Sequence, residues 1–250
     1  MYIKKTTYLN GKIRIQKHHT WNFGTVGLRR GRREKPTDLA VEKANERKAK
    51  ETLEDLININ FNEGDWFVTL TYKPEGRPDP EESRKILQKF LSKMRRYYKS
   101  KGQELKYIQA TEWNATKIHH HIVMNNVEGI STALVNYWPH GGRHMEPLYA
   151  DHDYEALAEY MVKETSETFR DKDNPYRKRY SPSRNLKKPE IDVEIIKSNT
   201  WRSEPKLTKE LTAAGWYIEK GSLCCGLDAL GYPYQSYIVI TPKRSKVKKC

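Results

Sequence analysis

The 250-residue sequence has no run of about 18 apolar residues, so no helix in it is expected to cross a membrane. Its opening stretch, Met1 to His19, has no apolar core of the kind that begins a secretory signal; a cytoplasmic protein of a bacterial cell is the expectation. Cysteine is scarce. Cys224, Cys225 and Cys250 form no C-x-x-C pair, which argues against both a zinc module and a disulfide framework. The phosphate-binding pattern G-x-x-x-x-G-K-[ST] is also missing, so the chain is expected to carry no P-loop ATPase.

Negative charge is in short supply. Asp and Glu number 32 against 46 Lys and Arg, a net charge of +14, and the chain has 16 Tyr and 6 Trp. A cation that meets a phosphate releases condensed counterions, so nucleic acid is the expected partner ahead of a membrane surface. Residues 1–60 read as a basic arm ending in "RRGRREKP", followed by a mostly exposed helix from Thr37 to about Ile57. Arg29, Arg30, Arg32 and Arg33 of the arm are candidate DNA contacts.

Residues 61–170 alternate in a way that specifies an architecture. "DWFVTLTY" is a β-rich run, and "DPEESRKILQKFLSKMRRYYK" has an early proline, acidic residues in its first turn and apolar residues at helical spacing. "LKYIQATEW" and "KIHHHIVMN" are strands joined by a tight turn; "ISTALVNYW" is a short helix, "GRHMEPLY" a strand and "DHDYEALAEYMVKETSETFR" a helix. The order β-α-β-β-α-β, then α, predicts an α+β fold: an antiparallel sheet with a ferredoxin-like core and an added helix. Residues 171–250 read as a basic linker, "DKDNPYRKRYSPSRNLKKP", and a small accessory region with strands in "IDVEII", "GWYIEKG" and "SYIVIT" and a helix in "PKLTKELTAAG".

The triplet "HHH" is a pair plus one. Side chains alternate along a strand, so His119 and His121 share a face while His120 joins Ile118, Ile122 and Met124 on the other. With a turn centred on Ala115 and Thr116, Glu112 lies across from His119 and Ala110 across from His121, bringing two imidazoles and a carboxylate together. Such a set suits Mn²⁺ or Mg²⁺, with zinc as an alternative. A three-residue loop would instead turn Glu112 to the far face. In the last helix Tyr160 and Lys163 stand at i, i+3, one turn apart on the same side, where an ammonium can stabilise a phenolate.

"FVTLTY", "HHHIV" and "YMVK", in that order, resemble the three motifs of HUH endonucleases, specifically the single-tyrosine initiators of rolling-circle replication carried by plasmids, phages and integrative elements of Gram-positive bacteria. The resemblance covers about Phe67 to Glu164. It implies that His119, His121 and Glu112 hold a divalent ion, that Tyr160 is the nucleophile beside Lys163, and that Thr69 and Thr71 serve a structural role or contact DNA. His120 stands where a bulky apolar residue is usual. The implied reaction nicks single-stranded or extruded origin DNA through a 5′-phosphotyrosine link, with helicase and polymerase supplied in trans. "KMRRYYKSK", with Arg95 and Arg96, and "YRKRYSPSRNLKK" add candidate DNA contacts, with solvated faces as the alternative reading. The rival functions are a non-catalytic origin-binding repressor on the same scaffold, or a single-tyrosine transposase or relaxase.

Overall fold

In a computed structural model of the protein, residues 1–20, 39–114, 117–149, 154–163, 165, 175–176, 178–197, 205–228 and 231–241 are described. In chain order the elements are β1 (Tyr2–Tyr8), β2 (Lys12–His19), α1 (Leu39–Asn60), β3 (Trp66–Thr71), α2 (Pro80–Ser100), β4 (Tyr107–Asn114), β5 (Lys117–Met124), α3 (Ile130–Tyr137) and β6 (Arg143–Pro147). They continue with α4 (Glu155–Lys163), β7 (Ser181–Pro182), β8 (Glu190–Ile196), α5 (Lys209–Ala213), β9 (Tyr217–Ile218), β10 (Cys224–Leu227) and β11 (Pro233–Ile240). The fold is α+β with antiparallel sheets, as the sequence predicts. Among the described residues no helix is long and apolar enough to cross a membrane.

The chain divides into two compact units, one spanning 36–188 and the other combining 1–35 with 189–250. These boundaries differ from the expected 1–60, 61–170 and 171–250.

In the unit of residues 36–188 the sheet order is β6-β3-β5-β4-β7. Its first four strands, with α2 and α3, follow the expected β-α-β-β-α-β sequence. Local chemistry sets each piece. The Asp79 carboxylate caps α2 by accepting from Glu82 N at 2.7 Å, Pro80 opens the helix, and Glu81 and Glu82 sit in its first turn. Leu87, Phe90, Leu91, Met94 and Tyr98 recur at helical spacing, and α2 buries them against Val68, Leu70, Ile122 and Met124 on one face of the sheet.

The second face carries Phe67, Ile108, Ala110 and Val123, covered by Leu53, Ile57 and Phe61 of the α1 segment and by Tyr154, Ala158, Met161 and Val162 of the α4 segment. The helix expected to be mostly exposed is therefore core-forming over its C-terminal half. Its periodicity is diluted by charge, but Leu53, Ile57 and Phe61 are each fully buried, worth about 1.5–3 kcal/mol apiece in transfer free energy. The cap expected at Thr37 lies outside the described residues.

Two expectations are overturned nearby. Residues 178–188 are not a linker: β7 pairs with β4, Ser183 N donates to Tyr107 O at 2.8 Å, and Lys187 N donates to Asn60 Oδ1 at 2.7 Å. Prolines and basic residues disguise a strand of two residues. Residues 1–19 are not an arm either. β1 and β2 form a hairpin whose turn has Gly11 at φ 69°, and the N-G dipeptide between two alternating runs was the available signal.

In the other unit the described strands run β10-β11-β2-β1-β8, with β9 beside β11. Ile13, Ile15, Tyr237 and Val239 form its core with Leu207, Leu211, Trp216 and Ile218. The strand and helix candidates of this region are found in place, and β10 is an addition.

Candidate metal centre

The register of the histidine strand decides which side chains meet. β4 and β5 pair with Asn114 opposite Lys117, Glu112 opposite His119 and Ala110 opposite His121. On the other side of β5, β3 places Thr69 opposite His121 and Thr71 opposite His119. Opposed residues share a face, so Thr71, His119 and Glu112 form one row across the sheet and Thr69, His121 and Ala110 the next.

One ligand atom from each of Glu112, His119 and His121 lies within 4.8 Å of the others. Glu112 Oε2 is 3.3 Å from His119 Nδ1 and 3.8 Å from His121 Nε2. His121 is buried, and its Nε2 has no hydrogen-bond partner. An orphaned, buried ring nitrogen beside a carboxylate is costly unless something coordinates it. Burial, only partly opposed by the nearby Glu112 carboxylate, pushes the His121 imidazole down to about 4, so it stays neutral and keeps a lone pair at physiological pH. Its other nitrogen, Nδ1, stands 3.3 Å from Thr69 Oγ1; an Nδ1–H donated there leaves Nε2 as the free donor atom. The three side chains can hold a divalent cation with open positions for other oxygens.

His120 points the other way and is fully buried. Its Nδ1 is 2.9 Å from Thr111 Oγ1 and its Nε2 is 2.9 Å from Tyr72 Oη, with the Tyr72 and Trp138 rings edge-on to it. Thr111 Oγ1 donates to Gln109 Oε1 at 3.3 Å. The consistent assignment has His120 Nδ1–H donating to Thr111 and Tyr72 O–H donating to Nε2. It is a polar packing residue, held neutral by burial that pushes it down to about 3.

Tyr160 lies on the metal side of the sheet. Its ring centroid is 5.1 Å from that of His121 and 6.2 Å from that of Phe67, edge-on to both, and the residue is 41% exposed. A phenol that touches the buried ligand while remaining open to solvent can meet a substrate bound at the same place. The helix is seated by its apolar side and by Lys50 of α1, whose ammonium reaches Glu155 at 2.9 Å and Glu159 at 2.6 Å. Lys163 closes α4 and is exposed. The Glu159 carboxyl is held below its usual range first by Lys50 and also by the Lys163 charge.

The other predicted positions fall in different places. Thr71 Oγ1 accepts from Gly142 N at 3.0 Å and Thr71 O accepts from Trp138 Nε1 at 3.0 Å, which locks the β3 end to β6. Arg95 and Arg96 are on α2, away from this face of the sheet, and Arg95 Nη2 donates to Tyr107 Oη at 2.8 Å. Arg29, Arg30, Arg32 and Arg33 lie outside the described residues. Sequence reasoning missed the orienting contact of Thr69 and the Lys50 clasp. It also missed His144, which pairs with Thr69 across β3 and β6 and meets Glu146 at 2.8 Å. T-x-T beside H-x-H was the signal for the first, because this topology makes β3 and β5 neighbours.

The model of the replication-associated protein ORF2 family matches residues 65–165, from the residue before β3 to just past α4. No curated protein and no solved structure matches the chain. The family match covers the sheet, the metal cluster and the tyrosine helix together, and it supports a role for this chain in replication initiation.

Proposed function

We propose that the protein is an HUH-type initiator of rolling-circle replication, a single-tyrosine enzyme that nicks single-stranded or extruded origin DNA and can rejoin the strand. The observation that carries this reading is the placement of Tyr160, 5.1 Å ring to ring from a buried His121 whose Nε2 faces Glu112 and His119. A divalent cation on His119, His121 and Glu112, Mn²⁺ or Mg²⁺, would supply charge to offset that on the non-bridging oxygens of the scissile phosphate.

The chain's own groups do the rest. Tyr160 Oη attacks phosphorus, a bond forms between phenol oxygen and phosphorus, and the bond to the 3′ oxygen breaks. One proton passes from the phenol to the leaving oxygen, giving a 5′-phosphotyrosine and a free 3′-OH. Lys163, one turn along on the same side, stabilises the phenolate. Thr69 holds the His121 ring in the tautomer the site needs. The link conserves the energy of the phosphodiester, so attack by a 3′-OH reverses it. A host or element supplies helicase and polymerase, and the work is done in the cytoplasm.

The test is incubation of the protein with Mn²⁺ or Mg²⁺ and single-stranded DNA carrying candidate origins. Wild type should yield a fragment attached to protein through its 5′ phosphate, and the link should survive boiling in detergent. Tyr160→Phe should yield none; an adduct from that variant removes Tyr160 as nucleophile. Binding without any adduct from wild type would favour the non-catalytic repressor.

A further inference from the structure

The unit that carries the metal centre has a second charged feature on the opposite side of its sheet. Tyr107, Gln109 and Thr111 alternate with Ile108, Ala110 and Glu112 along β4, so they face away from His119 and His121. On that side a groove runs between β4 and α2, bounded by Pro175, Tyr176, Lys178 and residues 181–185. It consists of two adjoining hollows of about 790 and 580 Å³, which share Arg95 and Tyr107 as common wall.

The helix wall is a stripe. Arg84, Gln88, Ser92, Arg95 and Lys99 recur every three or four residues and therefore lie on one side of α2. From Arg84 to Lys99 the stripe is about 22 Å long, room for about six phosphates of one duplex strand at about 3.4 Å each. Lys178 and Arg184 face it from the far wall, so five cations line the groove against the single carboxylate of Glu104. Arg95 is fixed in place by its bond to Tyr107 Oη and by lying 5.5 Å over that ring. The remaining lining is rich in amides and hydroxyls, groups that bond to phosphate and sugar.

From the proposed reading of this chain as a DNA-processing protein, the geometry points to this groove as a docking site for the phosphate backbone of double-stranded DNA, separate from the single strand at the metal centre. Aromatic rings decide between the two forms of DNA. A single-strand track offers exposed rings for bases to stack on. Here Tyr107 is buried and the Tyr176 hydroxyl is tied to Ser83 Oγ at 2.6 Å, so the groove presents charge and hydrogen bonds but no stacking platform. Origin duplex beside the melted or extruded segment is the DNA that fits.

The test uses the full chain in EDTA, so that it reads binding alone and stands apart from nicking. The triple variant Lys99→Glu, Lys178→Glu, Arg184→Glu changes only exposed residues of the groove, and a matched variant, Lys85→Glu, Lys89→Glu, Lys93→Glu, changes the same charge on exposed positions of α2 outside it. Fluorescence anisotropy against a short duplex should show the groove variant at least about tenfold weaker than the matched one, with the slope of log K against log salt reduced by about 2–3 relative to wild type. Affinity for a single-stranded oligonucleotide should then fall no further in the groove variant than in the matched one. Equal duplex losses in the two variants would reduce the effect to bulk charge and overturn the proposal. A groove variant whose single-strand binding falls as far as its duplex binding would overturn the choice of duplex. A thermal melt matching wild type confirms that the reversals leave the fold intact.

Discussion

Replacing His120 by leucine removes a ring that is hydrogen-bonded at both nitrogens, and leaves Tyr72 Oη and Thr111 Oγ1 short of a partner in the core. Such a loss costs about 1–3 kcal/mol, because desolvated hydroxyls are the groups left behind. His121→Ala has the opposite profile: it removes a donor atom of the metal cluster and vacates little polar structure beyond Thr69. The first variant should unfold at lower urea with metal affinity near wild type, and the second should lose cleavage at nearly unchanged stability. Equal losses of metal affinity would break the alternating-face account. A pH dependence follows from the same ring. Folded His120 resists protonation down to about 3 while the unfolded chain takes up the proton near 6.5. The unfolded state therefore binds more protons in that window, so this contribution is full above about pH 6.5 and declines on acidification by about 1.4 kcal/mol per unit. His121, pushed down to about 4, adds a parallel slope over the upper part of the window. Urea midpoints from pH 7 to 5 should fall less steeply in His120→Leu than in wild type. Thr69→Val tests the orienting contact: metal affinity should drop about 10–100-fold with stability little changed. A titration matching wild type would confine Thr69 to packing.

Strands and helices differ in how plainly the sequence announces them. The sheet at the metal centre was legible because H-x-H, T-x-T and the short turn fix register by alternation alone, and α2 was legible from its cap and its stripe. The β1–β2 hairpin was not, since Lys and Arg occupy alternate positions beside Ile13 and Ile15, and Lys12 and Arg14 are themselves buried. Nor was the close approach of the segment before β6 to β3. A Cβ built on Gly141 would stand 2.2 Å from the Thr71 carbonyl oxygen, a backbone atom that cannot swing aside, whereas at Gly142 it meets the Thr71 hydroxyl at 2.8 Å. Gly141→Ala should therefore shift β3 against β6 and cost about 1–3 kcal/mol, more than Gly142→Ala, with thermal melts as the measure. The tyrosine helix depends on a second element. Lys50→Met cuts both ion pairs from α1 to α4, exposed enough that together they contribute about 1 kcal/mol or less. Stability should barely move, yet kcat for nicking should fall at unchanged KM, because a small displacement of Tyr160 is felt at the reacting centre. A wild-type kcat would show that the apolar side of α4 seats the helix unaided.

At the scale of the molecule, chain order and structural order disagree. The unit of residues 1–35 and 189–250 takes β1 and β2 from one end of the sequence and β8 to β11 from the other, and β2 pairs directly with β11 as β1 does with β8. The unit of residues 36–188 has both of its hydrophobic clusters within its own span. A pass along the sequence meets the termini as two unrelated basic tails, which is why their joint sheet was not legible: β pairing over such separation leaves no local periodicity. The consequence for cutting the chain is asymmetric. A polypeptide of residues 36–188 retains a complete core on each face of its sheet, together with Glu112, His119, His121 and Tyr160, and should fold cooperatively and nick single-stranded DNA in Mn²⁺. Residues 1–35 alone, or 189–250 alone, hold only part of one sheet, and a two-stranded hairpin is at best marginal in water. Removing 189–250 from the full chain should therefore unfold β1 and β2 as well, seen as loss of amide protection in both strands, while protection in β3 to β6 persists. Protection retained by β1 and β2 in that truncation, or a 36–188 polypeptide without a cooperative melt, would show that the division of the chain does not describe its folding units.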